Sequence, residues 1–279
     1  MTPRRALIGL HIGALAFGLT GVFGKLILAA PLVIVFGRAL FAVVSLSPLA
    51  WRHPRPGVRQ LLLLAGGGLL LGSHWLTFFY AVKLSGVAVA TLGFASFPAF
   101  TVLLEGLLFR EHIRRSEWLT LLLVSTGLLL VTPQLELASS QTIGLLWAVL
   151  SGLLFALLSL ANRASVQGLH PFQAALWQNL TIALCLLPLA WHLLPSLRPL
   201  DWLWLGLLGA FCTAMAHSLF VASLTVLKAR DAALVFALEP VYGIAAAWWL
   251  FSEQPTLRMA AGGLLILLAI ALSATRQKT

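Results

Sequence analysis

The sequence predicts an all-α polytopic membrane protein of ten transmembrane helices arranged as two inverted five-helix repeats. Three observations carry that expectation. The chain is 60% hydrophobic and 9% charged, with a mean hydropathy of +0.99, far from the roughly 25% charged residues of an ordinary soluble domain. Its apolar residues fall into runs of about twenty, the length that crosses a bilayer as a helix. One pattern also occurs twice: Phe94-Ala-Ser-Phe-Pro98 followed by Glu111, and Phe236-Ala-Leu-Glu-Pro240 followed by Glu253, 142 residues on.

Helices are expected near 6–29, 32–50, 60–82, 88–109, 117–132, 143–163, 172–193, 202–227, 232–251 and 257–275. The first of these begins after Arg4 and Arg5 and contains Ala14-Leu-Ala16, which imitates a signal peptide. It nevertheless has an internal counterpart, because Gly13 to Lys25 matches Ser151 to Arg163 with Phe17 on Phe155, so it is read as a transmembrane helix. Glycines spaced as Gly9-x-x-x-Gly13, and the run Gly66-Gly67-Gly68, let the backbones of the first and third helices approach their neighbours.

Orientation follows from the basic residues. With both termini cytoplasmic, thirteen of the eighteen Lys and Arg residues lie on the inner side, in the loops around Arg52, Arg55, Arg114, Arg163 and Lys228 among others. Five helices per half then force the second half to enter from the opposite face, so the repeats, 1–134 and 142–279, are related by a pseudo-two-fold axis in the membrane plane. A net charge of +10 points to nucleic acid only where cations form a patch beside stacking aromatics. Here they sit between apolar runs, and no nucleic-acid partner is expected.

At this point the residues resemble a known family. The paired Pro-to-Glu segments, Gly127 and Gly262 beyond them, and the basic residues Lys25 and Arg163 closing the first helix of each half are similar to the drug/metabolite transporter superfamily, specifically its EamA-type ten-helix carriers. The resemblance covers nearly the whole chain. It implies helices 1–4 and 6–9 around a central cavity, helices 5 and 10 at the periphery, and transport of small metabolites, bacterial amino-acid exporters included. It implies a multi-pass protein of the bacterial inner membrane. It does not name a cargo.

Candidate binding residues are those both deep and polar or aromatic. Pro98 and Pro240 each remove a backbone hydrogen bond inside a predicted helix; they are either packing kinks or paired hinges that open a midplane cavity. Phe94 and Phe236 stand one turn before them. Glu239 lies about 12 Å inside its helix at helical rise, one turn before Tyr242. It is a proton carrier or amine partner, or else a protonated acid bonded to a carbonyl freed by the proline. His74, Trp75, Phe78 and Tyr80 make the third helix the most aromatic and polar. His74 and His217 fall at nearly equivalent levels of the two halves, suited to binding a zwitterion or exchanging protons, or simply satisfied by neighbouring helices. Trp177 and Gln178 line the seventh helix, and Gln178 matches Arg38 of the second. Arg38 either grips a carboxylate or, as the lack of an acidic cluster favours, snorkels or forms a structural pair.

Neither a zinc-protease motif nor a phosphate-binding loop nor a convincing Ser/His/Asp set occurs, so no enzyme, cofactor or metal is expected, and energy must come from a gradient. Cys185 and Cys212 lack ligand spacing. The expected partners are a small-molecule substrate, the lipid bilayer and protons as coupling ion, with the chain acting as a monomer or homodimer. Amino acids, aromatic ones included, fit best; lipophilic cationic drugs, or passive conduction through a channel, are the alternatives.

Overall fold

A computed structural model describes residues 2–109, 115–131, 139–165, 169–219, 235 and 238–276. Among them ten α-helices follow one another: α1 (Pro3–Leu26), α2 (Pro31–Ala50), α3 (Val58–Phe94), α4 (Phe97–Phe109), α5 (Arg115–Val131), α6 (Ser140–Ser165), α7 (Pro171–Ala190), α8 (Pro199–Gly209), α9 (Glu239–Phe251) and α10 (Leu257–Arg276). Six stretches are long and apolar enough to cross a membrane, and α4, α5 and α10 contribute shorter apolar helices. The protein is an all-helical, multi-pass membrane protein.

Proline sets several helix starts. Pro31, Pro171 and Pro199 occupy the first turn of α2, α7 and α8, where the missing N–H costs nothing and the fixed φ suits the helix. Pro98 and Pro240 behave the same way. The run expected over 88–109 breaks at Ala95-Ser96, and α4 restarts at Phe97 with Pro98 next. Likewise α9 starts at Glu239 with Pro240 in its first turn. The two prolines therefore open new helical segments instead of bending continuous ones.

The boundary expected between the third and fourth predicted helices falls at Gly86, where α3 leaves helical geometry with φ 80° and ψ 174°, a conformation that only glycine adopts without strain. Beyond α8 the chain widens into a π-helical turn over Ala210–Met215, a feature associated with functional sites.

Packing pairs helices from opposite ends of the chain. α2 lies on α7 and α5 on α10; α1 packs on α9 while α4 packs on α6; α3 runs along α6. Small residues permit the closest crossings. A Cβ placed on Gly127 of α5 would lie 2.7 Å from the carbonyl oxygen of Gly262, and one on Gly262 of α10 would lie 2.5 Å from that of Gly127. Neither position accepts a larger residue without separating the helices. Gly18 of α1 is pressed in the same way against the Glu239 carbonyl at the head of α9.

The interior combines an apolar core, including Phe78, Phe79, Phe94, Leu205 and Leu208, with buried polar groups on α2, α3, α6 and α7: Arg38, His74, Ser151, Gln173, Gln178 and Asn179. Leucines such as Leu62, Leu107 and Leu264 stand outward, the arrangement suited to a lipid surround. Trp51, Trp118 and Trp191 are exposed near helix ends, as expected of interfacial anchors. Trp202 and Trp204 are partly buried, packed on Phe41 and Phe23.

Candidate functional site

Three polar clusters occupy the interior and the two ends of the bundle. The central one is built on Arg38, eight residues into α2 and only 2% exposed. Its Nε donates to Thr213 Oγ1 at 2.7 Å and its Nη2 to the Cys212 carbonyl at 3.4 Å. The guanidinium carbon sits 3.9 Å from the centroid of the Trp75 ring, a cation–π contact strengthened by exclusion of water. Thr213 Oγ1 in turn donates to the Leu208 carbonyl at 3.0 Å, which commits its proton and leaves its lone pairs to Arg38. The π-helical turn thus presents Cys212 and Thr213 as fixed acceptors. Arg38 does not snorkel to the headgroups; it is held inside. Glu239 stands at the head of α9, in its first turn.

Beside this lies an aromatic cage. The His74 ring is 5.1 Å from Phe94 and 5.0 Å from Phe155, and Phe94 also contacts Phe78 and Phe97. His74 Nδ1 is 2.8 Å from Ser151 Oγ and 3.1 Å from the Ser151 carbonyl, while Ser151 Oγ donates to the His74 carbonyl at 3.0 Å. All three contacts are met together when Nδ1 carries the proton and the hydroxyl proton goes to the carbonyl. The pair ties α3 to α6.

At the end predicted to face outward, Lys25, closing α1, pairs with Glu253 Oε1 just beyond α9 and rests 4.5 Å from the Phe251 ring centroid. Glu253 Oε2 accepts the Val87 N–H at 3.1 Å. Gly86 makes that approach possible, since a Cβ there would meet Oε1 at 3.1 Å. One carboxylate therefore clasps the end of α1, the bend of α3 and the end of α9. A cleft of about 380 Å³ opens beside the clasp, lined by Ser85, Gln141, Gln254, Thr256 and Met259 as well as the pair itself.

The opposite end is closed by α2 and α7. His53 and His170 stack with ring centroids 3.4 Å apart and planes 8° from parallel. Gln173 donates to the Ala50 and His53 carbonyls, at 2.8 and 3.1 Å, and its Oε1 accepts Trp177 Nε1 at 2.9 Å.

The expected site residues separate accordingly. His74, Phe78 and Phe94 come together in the cage, with Trp75 under Arg38. Gln178 donates to Asn162 at 2.7 Å and presses on Gly67 and Gly68, joining α3, α6 and α7, and Trp177 belongs to the α2–α7 seam. Tyr242 faces α1, its hydroxyl 3.3 Å from His11 Nδ1. Tyr80 is 39% exposed and stacks on Trp147, apart from the cage. His217 is half-buried just past the π turn. Phe236 lies outside the described residues. Ser151, Phe155, Cys212 and Thr213 were not singled out from the sequence. Ser151 and Phe155 fall within the repeat match that starts at Gly13; nothing local marks Cys212 and Thr213.

The model of the EamA-like transporter family matches this chain twice, over residues 4–132 and 142–275. The chain belongs to that family. An uncharacterized transporter of Archaeoglobus fulgidus is 26% identical over 260 residues, 93% of this chain and 92% of its own length. The pseudopaline exporter CntI of Pseudomonas aeruginosa is 30% identical over 231 residues, 80% of this chain and 78% of its own. One solved crystal structure, 20% identical, aligns with a TM-score of 0.62 over 99% of this chain and 97% of its own, a likeness that speaks to fold alone. As an EamA-type transporter, the chain has its polar interior enclosed by membrane-spanning helices, which implies a small-molecule cargo in a lipid setting.

Proposed function

We propose that this EamA-type protein is a secondary or facilitative carrier that exports small metabolites, amino acids and aromatic ones among them, by alternating access between two inverted five-helix repeats in the bacterial inner membrane. The observation that carries the reading is the Lys25–Glu253 clasp, made by residues from opposite halves and closing one end above a buried polar interior. A contact of this kind can break and reform without unfolding either helix. The helix pairings favour inversion. α2 with α7 and α5 with α10 are each a helix against its own counterpart, and α1 with α9 repeats as α6 with α4, the pattern that a two-fold axis in the membrane plane generates. The reciprocal contact of Gly127 and Gly262 is of the same kind.

Cargo would sit between Arg38, Trp75, the cage around His74, and Glu239, which serves as proton carrier or as partner for an amine. Tyr242 lies one turn into the same helix, while Trp177, Gln178 and His217 support the walls. With both termini cytoplasmic, the clasp closes the outer side. The exporter named among the relatives supports outward transport. A second reading, efflux of lipophilic cations, draws on the phenylalanine cage and Glu239, which together suit a desolvated cation. Counterflow of labelled phenylalanine, leucine and a lipophilic cation in proteoliposomes, with and without a proton gradient, tests both. Saturable exchange of the amino acids supports the proposal; exchange of the cation alone transfers it to the second reading; unsaturable flux of every solute contradicts a carrier.

A further inference from the structure

Among the described residues, no carboxylate lies within ion-pair distance of the Arg38 guanidinium. A guanidinium stays protonated in proteins, and enclosing one is expensive unless a carboxylate lies against it. Yet among the described residues the ion pairs within 4.0 Å are Lys25–Glu253 and Arg198–Asp201. Arg38 instead has neutral partners: a hydroxyl, a carbonyl and an indole face. These contacts hold Nε and Nη2 and fix the plane of the group. A guanidinium has five N–H donors, and the two contacts above account for two of them.

We propose that Arg38 is the carboxylate-binding residue of the transport site, so that the cargo is a small molecule bearing a carboxylate, an amino or imino acid, which supplies the counter-ion that α2 lacks. The inference rests on the carrier reading above and narrows it. A planar fork, held on one side by Thr213 and Cys212 and across its face by Trp75, is preorganised for a bidentate carboxylate. Glu239, at the head of α9, is the acid that would take the cargo's ammonium group. A zwitterion would then be read at both ends, and a compound without the carboxylate would leave Arg38 buried and unpaired.

The test is counterflow in proteoliposomes with labelled phenylalanine, its decarboxylated analogue phenethylamine, and a lipophilic cation, in the wild type, Arg38→Gln and Arg38→Lys, each checked for folding by thermal denaturation in detergent. The wild type is expected to prefer phenylalanine over phenethylamine by at least tenfold. Arg38→Gln removes that preference, and Arg38→Lys, which keeps the charge but not the fork, retains part of it with a raised KM. A purely structural role would lower flux of all solutes together and leave the ratio unchanged, which overturns the proposal while the carrier reading stands. If Arg38→Gln proves unfolded, the same ratio in Arg38→Lys decides, an unchanged preference at unchanged KM overturning the proposal. Wild-type transport of the lipophilic cation without phenylalanine also overturns it, and in that case the amino-acid cargo falls too. Wild type that carries none of the three, in folded protein, overturns both together.

Discussion

Lys25 and Glu253 lie 228 positions apart in the chain and meet in an ion pair at one end of the bundle. The same carboxylate accepts the Val87 amide beside the glycine at the bend of α3, so one side chain joins three segments. Both partners are partly solvated, which limits the pair to about 1 kcal/mol. That is a size suited to the reversible gate proposed above.

Neutralising the clasp should therefore shift, and not abolish, closure. In Glu253→Gln, a cysteine introduced at Ser85, in a Cys185→Ser background, is expected to react roughly fivefold faster with a membrane-impermeant maleimide, the ratio that about 1 kcal/mol yields. Exchanging the charges in Lys25→Glu/Glu253→Lys should recover part of the protection. Equal rates in all three proteins would show that the pair does not hold this end closed.

Gly86 is a second lever on the same clasp. An alanine there meets a φ of 80° and a carboxylate oxygen 3.1 Å from its Cβ. That positive-φ, extended backbone alone costs about 1–3 kcal/mol. Gly86→Ala should lower the melting temperature and raise reactivity at Ser85 together, whereas Gly66→Ala, where an added Cβ meets nothing within 4 Å, should do neither.

The α5–α10 crossing predicts a reciprocal pair of effects. Gly127→Val and Gly262→Val each drive a side chain into the opposite backbone and should destabilise by about 1–3 kcal/mol. Their combination should fall short of the sum, because either one alone separates the helices. Full additivity in thermal denaturation would contradict the close approach.

At the other end, acid should loosen the α2–α7 seam. Partial desolvation, and then the neighbouring His53, lower the affinity of His170 for a proton. Because its folded pKa lies below the unfolded value, the seam's contribution to stability is present above the ordinary histidine range and is lost as pH falls through the folded pKa. Arg52 and Arg55, close in sequence to His53, add positive charge at this end. Melting temperature should drop between pH 7.5 and pH 5.5 in the wild type and drop less in His170→Phe. Identical pH profiles would show that the histidine stack does not govern this seam.

Much of this was legible in the chain. Apolar runs marked the helices because in lipid every backbone polar group must be bonded within the segment, and the Pro98/Pro240 and Gly127/Gly262 pairs marked the duplication. Helix breaks were less so: Pro98 reads equally as a kink or a start, and only the turn at Ala95-Ser96 decides. Partners across the bundle were not legible at all. Arg38 sits among apolar residues in α2, and nothing in α2 reveals that Thr213 and Trp75 enclose it. Ser151 likewise looks like an ordinary small helix residue until α6 is laid on α3 and it meets His74.

Alternating access makes opposite demands on the two ends of the bundle, so the most direct measurement reads both. Spin labels at Leu28 and Leu257 would report one end and labels at Trp51 and Leu107 the other, all four sites being exposed, with distances taken by double electron–electron resonance in nanodiscs. Compared with the wild type, Glu253→Gln should lengthen the Leu28–Leu257 distance and shorten the Trp51–Leu107 distance in the same population. Lengthening at one end with no change at the other would describe a gate that opens alone, as in a channel, and would contradict a carrier mechanism.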